Sequence, residues 1–237
     1  MAQNIILAKN IDASEFSYEP VKKNAAGGNV VYLKYTGMPK LVIQTPIVSA
    51  PFGLSSLTDD KTGAVKYSLD VSFRGMDEDP KIAQFHDKMK ELDEMLIDEG
   101  VKNSAAWFGR KVSKEVIQEF YRPLVKPAKD PEKYAPTMKF KLMAGRSGDL
   151  NVECFDATKQ LVNVKDALVP GSKVQAILEC NKVWFVNKTM FGISWNLVQL
   201  RIQPSDKIAG FSFMEDSDAE EEEEEEVEYE EVEEEEA

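Results

Sequence analysis

The chain has 237 residues, enough for one large domain or two small ones, and its 43% hydrophobic content supports a sizeable core. No apolar run approaches the roughly 20 residues of a bilayer span, and two cysteines cannot build the disulfide framework of a small secreted domain. The formal charge of −13 is unevenly spread: Glu215–Ala237 carries 17 acidic residues and no Lys or Arg, leaving 25 acidic against 29 basic residues over 1–214. A mildly basic body therefore bears a strongly acidic appendage.

Along the chain, Ile5–Leu7 and the alternating Phe16/Tyr18 suggest an edge strand, and NAAGGN at 24–29 a turn. Val30–Tyr35 and Leu41–Thr45 are β-rich runs, and Pro46–Leu57 is an apolar loop. Val65, Tyr67, Leu69, Val71 and Phe73 alternate with Lys66, Ser68, Asp70, Ser72 and Arg74, the period of a half-buried strand. The period changes at Asp79-Pro80, an N-cap followed by proline at the first helical position. Ile82, Phe85, Met89, Leu92 and Leu96 then recur every three or four residues, predicting a helix packed on the β-structure and closed by Gly100. His86, the single histidine, lies off that stripe.

Residues 102–146 differ in character. They hold 11 basic residues against four acidic ones, interleaved with Trp107, Phe108, Phe120, Tyr121, Tyr134 and Phe140. A helix is predicted around Ser113–Tyr121, a proline- and lysine-bearing loop over Lys126–Pro136, and a strand over Thr137–Ala144 with Met138, Phe140 and Leu142 inward. Gly145–Asp149 would turn that strand into Leu150–Phe155, a hairpin. Cys154 and Cys180 each fall in a predicted strand and read as buried free thiols.

The body ends in NKVWFVNKTMFGISWNLVQLRI, Asn181–Ile202. Val183–Val186 and Ile193–Ile202 are apolar runs, and Asn187–Gly192 supplies a turn in which Gly192 is free to take φ > 0. Ile193, Trp195 and Leu197 share one face, whereas Leu200 and Ile202 lie on the other, so a bulge is expected near Leu197. A strand that switches its buried face suits a small, strongly curved barrel. Trp184, Phe185 and Trp195 could stack bases, but each belongs to an apolar run that suits the barrel core, and adjacent Trp184 and Phe185 must face opposite sides.

PGSKVQAILECNKVWFVNKTMFGISWNLVQLRI, together with the acidic tail, resembles the phage-type (T-odd phage-like) single-stranded-DNA-binding proteins, in the branch that large nucleocytoplasmic DNA viruses encode. The resemblance is clearest over Pro170–Ile202 and in the tail. It implies a mainly β chain with inserted helices: a five-stranded barrel of the oligonucleotide-binding (OB) type, additional strands and a disordered acidic C-terminal tail. On that reading residues 1–214 form the DNA-binding domain, with a helical insertion at about 77–122, and residues 215–237 form the tail. The expected activity is sequence-nonspecific coating and protection of single-stranded DNA in viral replication, recombination and repair.

Single-stranded DNA offers phosphates and exposed base faces, which call for cations and aromatic rings respectively. Within the basic stretch, Arg110, Lys111, Arg122, Lys126, Lys133, Lys139, Lys141 and Arg146 are the candidates for phosphate contacts, and Trp107, Tyr121 and Tyr134 for stacking. A Glu-rich segment with only Val227, Tyr229 and Val232 as larger apolar residues cannot bury enough surface to fold. Glu220, Glu221, Glu222, Glu223, Glu224, Glu225, Glu226 and Tyr229 are expected to mimic nucleic acid in the basic groove. A flexible tail of this length reaches roughly 25–30 Å and competes at high effective concentration. When DNA displaces it, the resemblance implies recruitment of a viral DNA polymerase or helicase-primase, and homodimerisation by tail–groove exchange.

Two other readings stand beside this one: a chaperone of histones or other basic proteins using the acidic tail, and an RNA-binding or transcription-associated OB protein. The sequence has no Gly-rich phosphate loop, no CxxC and no Ser/His/Asp arrangement, and one histidine cannot complete a zinc site with two isolated cysteines. No enzymatic activity, metal or cofactor is expected. Without a signal peptide or membrane span, the protein is expected to be soluble and intracellular, in the host nucleus or at a viral replication site.

Overall fold

Five strands close into a barrel. In the computed structural model, which describes residues 4–203 except Ala26, Pro39, Lys61, Arg146 and Ser147, these are β1 (Val48–Ala50), β2 (Val65–Ser72), β3 (Thr137–Leu142), β4 (Ser172–Cys180) and β5 (Trp195–Gln203). β1 pairs with β2, β2 with β3, and β4 with β1, all antiparallel. β5 closes the ring, antiparallel to β4 and parallel to β3. The cyclic order 1-2-3-5-4 with one parallel contact is that of the OB fold.

Alternation along each strand fills the interior. Leu69 and Val71 of β2, Met138 and Phe140 of β3, Val174, Ala176 and Leu178 of β4, and Trp195 and Leu200 of β5 are fully buried. The expected bulge in β5 is present: Ile177 lies opposite Gln199 but Leu178 lies opposite Leu197, so Val198 is the extra residue. It lets both Leu197 and Leu200 point inward, and it bends the strand as barrel closure requires.

A second sheet flanks the barrel. Its order is Met190–Ile193, Lys182–Val186, Asn29–Tyr35 and Phe16–Tyr18, with Lys22–Lys23 also paired to Asn29–Val30. The terminal hairpin therefore differs from expectation. The run Ile193–Ile202 is divided at Ser194, Met190–Ile193 staying in the hairpin while β5 enters the barrel. The turn is shorter, with Asn187 at φ 51° and Lys188 at φ 56°, and Gly192 lies inside a strand.

Between β2 and β3 come α1 (Pro80–Lys102), α2 (Ser104–Phe108) and α3 (Lys114–Phe120). The Asp79 carboxylate accepts the Lys81 amide at 2.8 Å, capping α1 as expected. Gly100 does not end that helix, which runs on to Lys102. A Cβ there would lie 2.9 Å from Phe191 Cζ and 3.0 Å from Ile117 Cγ2, so the glycine admits close packing of the hairpin and α3.

The hairpin expected over 137–155 also shrinks. It persists as the Ala144–Leu150 bridge, after which Glu153–Phe155 leaves to pair parallel with Gln199–Arg201 of β5. β3 engages β5 only at Trp195 and Asn196, so the rest of that edge needs another partner. The expected boundary at Met214 and the acidic tail lie outside the described residues.

Candidate nucleic-acid interface

The site begins with the outward residues of β2 and β3. Because β3 buries Met138, Phe140 and Leu142, it must turn Lys139 and Lys141 outward. Register places Lys139 opposite Asp70 and Lys141 opposite Ser68. Lys139 Nζ donates to Asp70 Oδ2 at 2.8 Å and to Ser68 Oγ at 3.2 Å, which fixes its position and offsets its charge. Lys141 has no such anion among the described residues. Its ammonium lies 5.8 Å from the centroid of the Trp184 ring. Partial burial, then the positive charges of Lys182 and Lys66, hold its pKa below the ordinary lysine value.

A buried carboxylate sets the second wall. Asp93, on the apolar side of α1, accepts the Tyr121 hydroxyl at 2.6 Å and the Leu124 amide at 2.8 Å on Oδ1, and the Val125 amide at 3.4 Å on Oδ2. Burial raises its pKa, against the lowering effect of these donors. The fastened segment is the one that carries Arg122 and Lys126. The Arg122 amide also donates to the Phe191 carbonyl at 2.9 Å, tying the segment to the hairpin. Val125–Lys126 pairs with Thr137–Met138 at the start of β3.

Between these walls runs an open groove of about 260 Å³, lined by Arg122, Lys126, Lys139, Lys141, Trp184 and Ser194 among others. Trp184 is half-buried, whereas Phe185 turns into the core, as adjacent strand residues must. Gly192, directly opposite Trp184, leaves room for the indole: a Cβ there would lie 3.0 Å from both Trp184 Cζ2 and the Arg122 carbonyl.

Four of the eight phosphate candidates, Arg122, Lys126, Lys139 and Lys141, thus converge. The others do not line this groove. Arg110 and Lys111 follow Gly109, where a Cβ would lie 3.8 Å from Lys188 Nζ at the hairpin tip. Lys133 pairs with Asp130 at 3.2 Å in the loop before β3, and Arg146 lies outside the described residues, as do Glu220–Glu226 and Tyr229.

Two of the stacking candidates need correction. Trp107 and Tyr121 are only 3% and 4% exposed. Trp107 packs on Phe185 at 5.6 Å and Phe191 at 6.1 Å, and Tyr121 on Phe191 at 5.2 Å. These rings cement α2 and α3 to the hairpin sheet and offer no free face to a base. Tyr134, 66% exposed, remains accessible in its loop. Sequence reasoning weighed Trp184 as a stacking ring but favoured barrel core for it, and left out Asp93 as an organiser of the groove. The signals were present: Trp184 cannot share the buried side of Phe185, and Asp93 interrupts an apolar stripe, four residues after Met89 and three before Leu96.

Among the described residues no group of three or more His, Cys, Asp or Glu side chains is placed to hold a metal ion. Both cysteines are buried and free, as expected. No helix among those residues is long and apolar enough to cross a membrane.

Fold and groove together define an OB-type barrel protein with a basic, tryptophan-walled surface groove. The chain belongs to a family of unknown function, DUF5871, whose model matches residues 70–216, more than half of its length. No curated protein matches it significantly. Among solved structures it is similar to gp2.5, a single-stranded DNA binding protein encoded by bacteriophage T7, with 14% identity and a TM-score of 0.48 over 77% of this chain and 94% of that one. It is also similar to the single-stranded DNA-binding protein of bacteriophage Enc34 in complex with ssDNA, with 13% identity and a TM-score of 0.42 over 81% of this chain and 98% of that one.

Proposed function

We propose that this chain binds single-stranded DNA without sequence preference. One observation carries the reading: Arg122, Lys126, Lys139, Lys141 and the Trp184 ring line one groove, formed by β3, the segment 122–126 and the hairpin that joins β4 to β5. In OB barrels the face of strands two and three and the loop between strands four and five hold oligonucleotides. Cations spaced along a groove neutralise successive phosphates, and an indole wall offers a stacking surface that every base can use. Asp70 and Asp93 position these groups without occupying the groove entrance themselves.

In this reading the protein coats and protects exposed strands during replication, recombination and repair of the genome of a large DNA virus, in the host nucleus or at a viral replication site. Residues 1–214 are the binding domain. The acidic segment 215–237 occupies the groove when DNA is absent and, once displaced, contacts a viral DNA polymerase or helicase-primase. Exchange of tails between two copies supplies a route to a homodimer.

The test is a gel shift of the full chain and of a chain cut after Met214 on single- and double-stranded oligonucleotides of equal length. Preference for single strands, with tighter binding after the cut, is the expected result. No binding by either form overturns the reading, and loss of the ligand on removing the tail favours a basic-protein chaperone. Competition with RNA of equal length separates DNA from RNA specificity.

A further inference from the structure

The outer face of the hairpin sheet continues the groove. Residues 182 and 184 share one side of their strand, and Lys182 lies directly opposite Tyr32 while Trp184 lies opposite Val30. Trp184 and Tyr32 are therefore diagonal neighbours on one face, about 7–8 Å apart by strand geometry. Val30 is buried beneath them and Tyr32 is 38% exposed. Lys22, paired opposite Val30, places its ammonium 5.5 Å from the Tyr32 ring centroid. Lys34, two residues beyond Tyr32, points the same way.

The acidic residue in this patch is Glu19, which binds Lys22 at 2.5 Å and Lys34 at 2.8 Å. Those three groups together leave one positive charge, and exposed Lys182 has no ion-pair partner among the described residues. Lys182 also contributes to the lowered pKa of Lys141, which marks the two ammonium groups as parts of one cationic field. An aromatic ring flanked by cations thus sits next along the sheet from the tryptophan of the groove.

We infer that the nucleic-acid track does not end at the barrel. It runs from the groove over Trp184 onto the outer face of the hairpin sheet, where Tyr32 is a second stacking platform and Lys182 and Lys22 take the adjoining phosphates. This rests on the single-strand-binding reading and lengthens the strand the protein covers. The N-terminal sheet becomes part of the binding surface as well as a support for the hairpin.

The experiment measures binding of fluorescent oligothymidylates of graded length, from ~4 to ~16 nucleotides, the range of OB-fold site sizes, by anisotropy at fixed salt. It compares the full wild-type chain with Tyr32→Leu, Lys182→Gln and, as a groove control, Lys126→Ala. Tyr32→Leu should bind the shortest oligomers like wild type and lose roughly fivefold or more on the longest, the loss of one stacked base. Lys182→Gln should act in the same direction, and a bromouracil near one end of the long oligomer should photocrosslink to the peptide carrying Tyr32. Lys126→Ala should weaken binding at every length.

Equal affinity of Tyr32→Leu and wild type at all lengths, with Lys126→Ala still impaired, overturns the extended track but leaves the groove standing. A loss that is the same for short and long oligomers overturns it too, because Tyr32 would then act through the hairpin. If the wild type binds no oligomer, the function itself fails.

Discussion

Asp93 and Tyr121, 28 positions apart in sequence, meet in a buried hydrogen bond of 2.6 Å that joins the long helix to the groove wall. The same carboxylate holds the Leu124 and Val125 amides, so one side chain secures the whole turn carrying Arg122 and Lys126. This buried acid acts beside the Phe191 carbonyl, which holds the Arg122 amide, and the pairing of Val125–Lys126 with β3.

Removing that acid should therefore loosen both fold and site. Asp93→Ala leaves a hydroxyl and two amides unsatisfied and should destabilise the protein by about 2–4 kcal/mol in urea titration. Asp93→Asn keeps an oxygen that can accept from Tyr121 and Leu124, and should cost less. The acid also sets a pH dependence. Burial raises the folded pKa of Asp93 above its unfolded value, so the folded state holds the proton more tightly. Its contribution is fully present below the unfolded pKa and is lost as pH rises through the raised one. Urea midpoints measured across that window should show this slope in wild type and a flatter profile in Asp93→Asn.

Lys141 should make DNA binding sensitive to alkaline pH. Its free-state pKa is lowered by burial and by Lys182 and Lys66, and a bound phosphate favours the charged form and raises it again. Binding then takes up a proton, and affinity falls as pH rises through the lowered pKa, before exposed lysines titrate. Lys141→Arg, which stays charged, should flatten the fall; an unchanged profile would place Lys141 outside the contact.

Salt dependence would count the proposed phosphate contacts. On single strands the slope of log affinity against log salt changes by about 0.7 per contact. Lys126→Ala should reduce the slope by about that amount, whereas Lys133→Ala, a residue paired with Asp130 and off the groove, should leave it within error.

Gly192→Ala tests the fit of the tryptophan wall. The added carbon would press on the Trp184 ring and on the Arg122 carbonyl at 3.0 Å each. Overpacking of this size costs about 1–3 kcal/mol. It should weaken DNA binding more than stability alone explains, and Trp184 fluorescence should shift in the free protein.

The thiols give an independent check on burial. Burial pushes Cys154 to about 11 and Cys180 to about 12, so neither is a thiolate at neutral pH. A chromogenic disulfide reagent should find no reactive thiol in the native chain at pH 8 and two after denaturation.

Much of the fold could be read from the residues in order. The alternation through Val65–Phe73 and Thr137–Leu142, the Asp79-Pro80 helix start and the face switch that announces a bulge near Leu197 are local signals, carried by neighbours within a few positions. The concentration of cations over 102–146 and of carboxylates after Met214 is likewise written in the chain. Sequence order did not decide which of those cations share a groove or which rings face outward. Trp107 and Tyr121 became core because α2 and α3 fold back on the hairpin, whose Phe185 and Phe191 needed apolar cover. Trp184, one position from Phe185, turned to the groove because a strand alternates and the inner side was taken. Periodicity sets which side of an element is apolar; only the packing of distant elements decides what each side meets.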